Sequence, residues 1–186
     1  NARQMADLTN AIQKFFLENS RLGIPVIFHE ECLHGHAAPD GTSFPQPIAL
    51  GASFNPDLVE SLFTMTALEA RLRGAHHALT PVVDVAREPR WGRVEETYGE
   101  DPYLVSRLGI AAVRGFQGDR NFRDQRHLLA TLKHFVGHGP PASGMNCAPA
   151  TVSERVLRET FLYTFKDALR EGGAVTVMAS YKEIDG

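Results

Sequence analysis

The amino-acid sequence predicts an α/β fold, in the form of a partial (β/α)8 barrel of the TIM type. Short apolar segments alternate along the chain with amphipathic helical patterns. The apolar segments are nearly continuous rather than alternating with polar residues, which is typical of parallel strands covered on both faces. Long polar loops follow the segments, and loops at the carboxyl ends of strands build the sites of such barrels.

Four segments are predicted to be strands because they are short, apolar and rich in β-branched residues. Each is followed by a helical pattern or preceded by one, and such a strand–helix alternation implies a parallel sheet. The four segments are IPVIF (24–28), ALTPVVDV (78–85), LLATLKHF (128–135) and AVTVMASY (174–181).

Four helices are predicted from apolar residues at three- and four-residue spacing. Two of them have a capping side chain followed by a proline at the first helical position, at Asn55-Pro56 and Asp101-Pro102. Ser153 can cap the fourth helix. The apolar stripes cover residues 5–16, 58–72, 105–116 and 157–168.

The composition is that of an ordinary globular protein with enough chain for a core, since 43% of the 186 residues are hydrophobic and 22% are charged. The net charge of −3 argues against a nucleic-acid partner, and no apolar run is long enough for a membrane span. Two cysteines, Cys32 and Cys147, are too few for a disulfide scaffold. Because the chain runs from Asn1 to Gly186 without a signal-like start, we expect residues 1–186 to be one incomplete domain of a longer protein, of open cellular location.

Charged and hydrogen-bonding residues follow each predicted strand. HEECLHGH (29–36) comes after the first strand and AREPRWGRVEETYGEDP (86–102) after the second. Lys133 and His134 end the third strand, and Tyr181 ends the fourth. The carboxyl ends of parallel strands meet at one edge of the sheet, so we expect these residues to converge there. Lysine, arginine and carboxylate groups suit the adjacent hydroxyls of a sugar, because charge-assisted hydrogen bonds are the strong ones.

Each of these residues also has a purely structural interpretation. Lys133 could be a solvated rim residue, and His134 a hydrogen-bonded core histidine. Trp91 could present its indole face to a sugar ring, although packing is the more common role. Four acids are more consistent with helix starts and salt bridges than with catalysis: Glu95, Glu96, Glu100 and Asp101. Their joint convergence on one sheet edge is what favours a binding site.

Five sequence blocks occur here in one order, and together they resemble the amino-terminal barrel domain of glycoside hydrolase family 3. The similarity is closest to its β-glucosidases and β-xylosidases and extends from about Leu22 to Gly186. It implies a retaining, exo-acting hydrolase without cofactor or metal, which removes terminal non-reducing sugars from β-linked oligosaccharides or glycosides. The blocks are LGIPVIFHEECLHG, SFPQPIALGASFNPDLV, REPRWGRVEETYGEDPYLV, TLKHFVGHG and VMASYKEIDG.

The resemblance implies which residues bind the substrate. Glu31 matches the family's acidic residue, often Asp, that hydrogen-bonds hydroxyls of the terminal sugar. Arg93, the second arginine of PRWGR, matches its sugar-binding arginine. Lys133 and His134 match the Lys-His pair that binds hydroxyls of the same sugar.

The resemblance also implies what lines the reacting side of the pocket and which catalytic residues the chain lacks. Tyr181, with Met178 nearby, matches a residue that lines the nucleophile's side of the pocket. The nucleophilic Asp is expected beyond Gly186, and the acid/base in a second domain of the full-length protein. We therefore expect the isolated chain to hold substrate-binding residues only, and to be inactive.

Three departures from the family pattern bear on the interpretation. The segment after KHFVGHG reads PPASGMN and lacks the Asp-x-His dyad of the β-N-acetylhexosaminidase branch, which argues against that branch. Glu31 replaces the common Asp and leaves the preferred sugar open. Lys182 stands where many members have Asn.

Two alternatives remain at this point. His34 and His36 form an H-x-H pattern, and with Lys133 they could indicate a metal-dependent amidohydrolase barrel. The pattern lies beyond the predicted strand end, however, and is a weak signal by itself. The chain could also be a sugar-binding fragment without catalytic function.

Overall fold

The fold is a parallel sheet with helices in the connections, which confirms the predicted α/β class. The computed structural model describes residues 1–119, 121–122 and 124–186. The strands lie side by side in their chain order, and every neighbouring pair is parallel. Consecutive parallel strands joined by helical crossovers are the repeating unit of a (β/α)8 barrel. The strands are β1 (His29–Glu30), β2 (His77–Ala78), β3 (Leu129–Phe135) and β4 (Thr176–Ala179).

The helices lie where the apolar stripes predict them. The predicted caps are present, because the side chains of Asn55, Asp101 and Ser153 accept hydrogen bonds from backbone N–H groups in the first turn of their helices. Two π-helical turns, Leu157–Phe161 and Ala168–Gly172, follow α5 and α6 and extend the last helical region. The helices are α1 (Ala2–Asn19), α2 (Pro47–Gly51), α3 (Pro56–Leu72), α4 (Pro102–Gln117), α5 (Glu154–Val156) and α6 (Leu162–Asp167).

The first predicted strand, residues 24–28, is wrong in its bounds, since β1 comprises only His29 and Glu30. The reason lies in α1, where the side-chain amide of Gln13 takes the place of a neighbouring strand. Gln13 Nε2 donates to Val26 O at 2.6 Å, and Val26 N–H donates to Gln13 Oε1 at 2.8 Å. The backbone of Val26 is therefore satisfied by a side chain instead of a sheet ladder.

The second predicted strand, 78–85, is also shorter in the structure than in the prediction. Beyond β2 its ladder to β3 is reduced to a bridge between Val82 and Lys133, because Pro81 has no N–H group to donate. The chain still runs beside β3, with Val83 N–H donating to Lys133 O at 3.0 Å. The third and fourth predicted strands are confirmed, as β3 and β4, to within two residues at each end.

The core lies between the sheet and the packed pair α3 and α4. Phe63 on α3 and Phe116 on α4 are fully buried, with ring centroids 4.8 Å apart. The two helices approach closely because Gly115 has no side chain. A Cβ atom at Gly115 would lie 2.5 Å from the backbone oxygen of Glu60. Among the described residues, no helix combines the length and the apolar character that a membrane crossing requires.

We predict that Gly115→Ala lowers the free energy of unfolding by about 1–3 kcal/mol, because the added methyl group collides with backbone that cannot rotate away. Chemical denaturation measures the change. Gly92→Ala is the matched control, since a Cβ atom at Gly92 has no neighbour within 4 Å. Equal stability of the two variants would contradict the close helix–helix approach.

Candidate active site

The polar residues predicted from the sequence lie at the carboxyl edge of the sheet. Glu31 directly follows β1, Lys133 and His134 lie in β3, and Tyr181 follows β4. Arg93 lies in the long loop that connects β2 to α4. The carboxyl edge of the sheet therefore carries this group of residues, and the contacts described below join its members.

The ammonium group of Lys133 is paired with the carboxylate of Glu31. Lys133 Nζ lies 2.9 Å from both Glu31 Oε1 and Oε2. The lysine side chain is only 3% exposed, whereas that of Glu31 is 49% exposed. The ammonium group of Lys133 is therefore shielded from solvent, whereas the carboxylate of Glu31 remains accessible to a ligand.

Arg93 binds a carboxylate on one side and two imidazoles on the other. Its Nε and Nη2 donate to the two carboxylate oxygens of Glu96 at 2.6 and 2.7 Å. Nη2 also donates to His134 Nε2 at 3.1 Å, and Nη1 donates to His138 Nε2 at 3.3 Å. The hydrogen bonds to Glu96 raise the pKa of Arg93 above its ordinary value, and the guanidinium is therefore a fixed cation. Glu96 has the salt-bridge role expected from the sequence.

Asp84 is a member of this site that the sequence analysis did not select. Its Oδ2 accepts from both the ring Nδ1 and the backbone N–H of His134, at 2.8 and 3.0 Å. Both side chains are buried. The sequence signal that could have identified Asp84 is its position inside the apolar run ALTPVVDV, because a buried charge rarely occurs without a partner.

His138 is the second residue that the sequence analysis did not select as a site residue. Its ring is fully buried against His134, with centroids 4.4 Å apart, and against the edge of Trp91. Burial, together with the neighbouring His134, Lys182 and Arg93, lowers the pKa of His138 to about 3. Lys182, the residue that departs from the family pattern, donates through Nζ to His138 O at 2.9 Å.

Tyr181 and Trp91 occupy opposite environments near His138. The Tyr181 side chain is 62% exposed, and its ring centroid lies 6.1 Å from that of His134. Its hydroxyl contacts the sulfur of Met178 at 3.8 Å. Trp91 is 2% exposed and donates through Nε1 to Asn146 Oδ1 at 3.0 Å. Trp91 therefore packs inside the loop region instead of presenting its indole face to solvent.

The structure thus joins the predicted residues in two contact groups, which are linked because Lys133 and His134 are adjacent in β3. One group is the Glu31–Lys133 pair, and the other contains Arg93 and His134, with Tyr181 beside them. His34 and His36 do not combine with acids or a cysteine into a candidate metal site. Within the described part of the chain, no group of three His, Cys, Asp or Glu residues could hold a metal ion.

Comparison with known proteins identifies the family of the chain. A model of the glycosyl hydrolase family 3 N terminal domain matches residues 1–186. The chain belongs to glycosyl hydrolase family 3. The predicted family and the TIM-type barrel architecture are therefore confirmed, and the family is one of hydrolases that act on glycosidic bonds.

Three relatives illustrate the match. A β-xylosidase from Formosa agariphila is 42% identical over 90% of this chain, which covers 24% of that protein. The structure of a β-glucosidase from Erythrobacter marinus has a TM-score of 0.94 at 39% identity, covering 98% of this chain and 24% of the other. A β-glucosidase from Listeria innocua, solved in complex with glucose, has a TM-score of 0.88 at 38% identity, covering 94% and 24%. The chain spans about a quarter of the length of these relatives.

We predict that stability decreases as the pH falls from 7 towards 4, in part because of His138. The unfolded chain takes up a proton on this residue below pH 6.5, whereas the folded chain does so only near pH 3. Between these values the unfolded state binds more protons, so each such histidine removes up to about 1.4 kcal/mol per pH unit. Burial also lowers the pKa of His36, His76 and His77, which act in the same direction.

Thermal melts at several pH values measure this dependence. His138→Phe should show a smaller loss of melting temperature between pH 7 and 5, because the ring that resists protonation is gone. Arg93 and Lys182 supply the charge that faces this ring and remain in the variant. An unchanged slope would show that His138 is not the responsible group.

Proposed function

We propose that the chain forms the sugar-binding wall of a retaining, exo-acting β-glycosidase, either a β-glucosidase or a β-xylosidase. The observation that carries the proposal is the buried Lys133 ammonium, held at the carboxyl edge of the sheet beside the Arg93–His134 contact. Fixed cations at this edge provide hydrogen-bond donors, and Glu31 provides an accessible acceptor. This combination of hydrogen-bond donors and an acceptor suits the terminal non-reducing sugar of a β-linked oligosaccharide or glycoside.

The binding groups are preorganised because they are already paired with one another. A hydroxyl that enters the site can accept from Lys133 or Arg93 and donate to Glu31, and thereby bridge an existing pair instead of ordering a flexible side chain. Tyr181 and Met178 would line the same pocket from the side of β4. The ring of Tyr181 is exposed and would contribute an apolar surface to the sugar.

The acids of this group are suited to binding and positioning. Retaining hydrolysis needs a nucleophilic carboxylate and an acid/base about 5 Å apart. Every acid described in this site is engaged by a basic side chain, which suits it to binding and positioning. The pairs are Glu31 with Lys133, Glu96 with Arg93 and Asp84 with His134. We infer that the nucleophile and the acid/base come from outside residues 1–186, the acid/base from a second domain.

The substrate class follows from the relatives, which include both a β-xylosidase and β-glucosidases. The Listeria innocua relative was solved with glucose, and we expect the same kind of ring to occupy the carboxyl edge in this protein. Glucose and xylose differ by one hydroxymethyl group, so hydrolysis of nitrophenyl β-glucoside and β-xyloside by the full-length protein will identify the preferred sugar.

In the full-length protein that carries this chain, Lys133→Ala or Arg93→Ala should lower kcat/KM by about 10- to 1000-fold. Each change removes a charged hydrogen bond to the sugar that strengthens in the transition state. Steady-state kinetics on a nitrophenyl β-glycoside measure the loss. Lys14→Ala is the control, because Lys14 is a solvent-exposed lysine on α1 whose contact with Glu18 is weak. An unchanged kcat/KM in either site variant would place that residue outside the pocket.

The isolated chain of residues 1–186 should not hydrolyse nitrophenyl β-glucoside, because it cannot form the glycosyl–enzyme bond. The assay needs protein free of contaminating glycosidases. Turnover that survives purification and is abolished by Lys133→Ala would show that a nucleophile lies within the chain.

A further inference from the structure

The contacts of Arg93 determine where two histidines carry their protons. A guanidinium group has only donors, so an imidazole nitrogen beside it must accept. Arg93 reaches Nε2 of His134 at 3.1 Å and Nε2 of His138 at 3.3 Å. Each Nε2 must therefore bear a lone pair. Both rings are then neutral, and the single ring proton of each is on Nδ1.

His134 satisfies this arrangement through Asp84. The Nδ1–H group donates to Asp84 Oδ2 at 2.8 Å, and the same oxygen accepts the backbone N–H of His134 at 3.0 Å. The carboxylate of Asp84 thus fixes the orientation of the His134 ring relative to the His134 backbone. It also fixes the tautomer of that ring. Asp84 is buried, and its hydrogen bonds in the site are made to His134.

His138 satisfies the arrangement at a cost to stability. Its Nε2 accepts from Arg93, but its buried Nδ1 has no hydrogen-bond partner among the residues that the structure describes. A buried donor without a partner is destabilising, so packing alone gives no reason for a histidine here. What the ring provides, and an apolar ring of the same size would not, is the acceptor for Arg93.

The hydrogen-bond count of Arg93 shows the result of this arrangement. Of its five N–H groups, two are directed to Glu96, one to His134 and one to His138. One Nη1–H group remains without a partner in the described part of the chain. The guanidinium plane is consequently held on three sides, with a single donor left for a ligand.

We propose that Asp84 and His138 are positioning residues of the sugar site. Asp84 holds His134 as the neutral Nδ1–H tautomer, and His138 holds the Arg93 guanidinium in one orientation. Because Arg93 Nη2–H occupies the lone pair of His134 Nε2, a hydroxyl that reaches Arg93 accepts from its remaining Nη1–H group. The proposal rests on the proposed function for its sugar ligand, but the proton positions are a property of the protein alone.

Imidazole nitrogen NMR tests the proton positions directly. The protein is labelled with ¹⁵N at histidine side chains, and His134→Gln and His138→Gln variants assign the two rings by loss of signal. At pH 7 both rings should show a protonated Nδ1 and an unprotonated Nε2. An imidazolium pattern, or a proton on Nε2, in either ring would overturn the assignment for that residue.

Paired variants of the full-length protein test the positioning role. His138→Phe keeps the ring volume but removes the acceptor, and should lower kcat/KM at least tenfold. His138→Gln places an amide oxygen near the former Nε2 and should recover most of that loss. Asp84→Ala and Asp84→Asn form the same comparison, since the amide of Asn retains an acceptor for His134.

Losses of equal size within each pair, or no loss at all, would overturn the positioning role. If the His138→Phe or Asp84→Ala variant does not fold, the nitrogen spectra of the unmodified protein still decide the proton positions. Failure of the proposed function is a different outcome, in which Lys133→Ala and Arg93→Ala leave hydrolysis unchanged while the spectra remain as expected.

Discussion

The burial of Lys133 and His134 in β3 is the constraint on which the rest of the site depends. An ammonium group and an imidazole placed inside a sheet require partners, because an unpaired buried polar group is strongly destabilising. Glu31 supplies the partner for Lys133 at the end of β1, and Asp84 supplies the one for His134. The strand β3 thereby determines which acids must stand at the carboxyl edge of the sheet.

The same constraint explains why the site is rigid. Arg93 joins the buried imidazoles to Glu96, so that one hydrogen-bonded network extends from the loop to the interior of the sheet. Such a network is stable only when its buried members are satisfied, and in the described part of the chain the buried Nδ1 atom of His138 has no partner. A site organised in this way binds a ligand without having to order its own side chains, which agrees with the requirement of a glycosidase for a fixed terminal sugar.

In the proposed function, the acids of the site bind and position the sugar. Each one is engaged with a basic side chain, and Asp84 is buried as well. The chain spans about a quarter of its relatives, and the proposed division of labour assigns sugar binding to this quarter and bond cleavage to the remainder.

The sequence by itself determined the fold class, the helix starts and five ordered motifs that identify the family. These features depend on residues that are close together in the sequence. An example is the capping side chain of Asn55 or Asp101 followed by a proline at the first helical position. It could not determine that Gln13 replaces a strand beside Val26, because that contact joins residues distant in the chain. The roles of Asp84 and His138 likewise came only from the tertiary structure. Their proposed roles depend on which side-chain atoms lie within hydrogen-bond distance of each other at the sheet edge. The spacing of residues along the chain does not reveal these contacts.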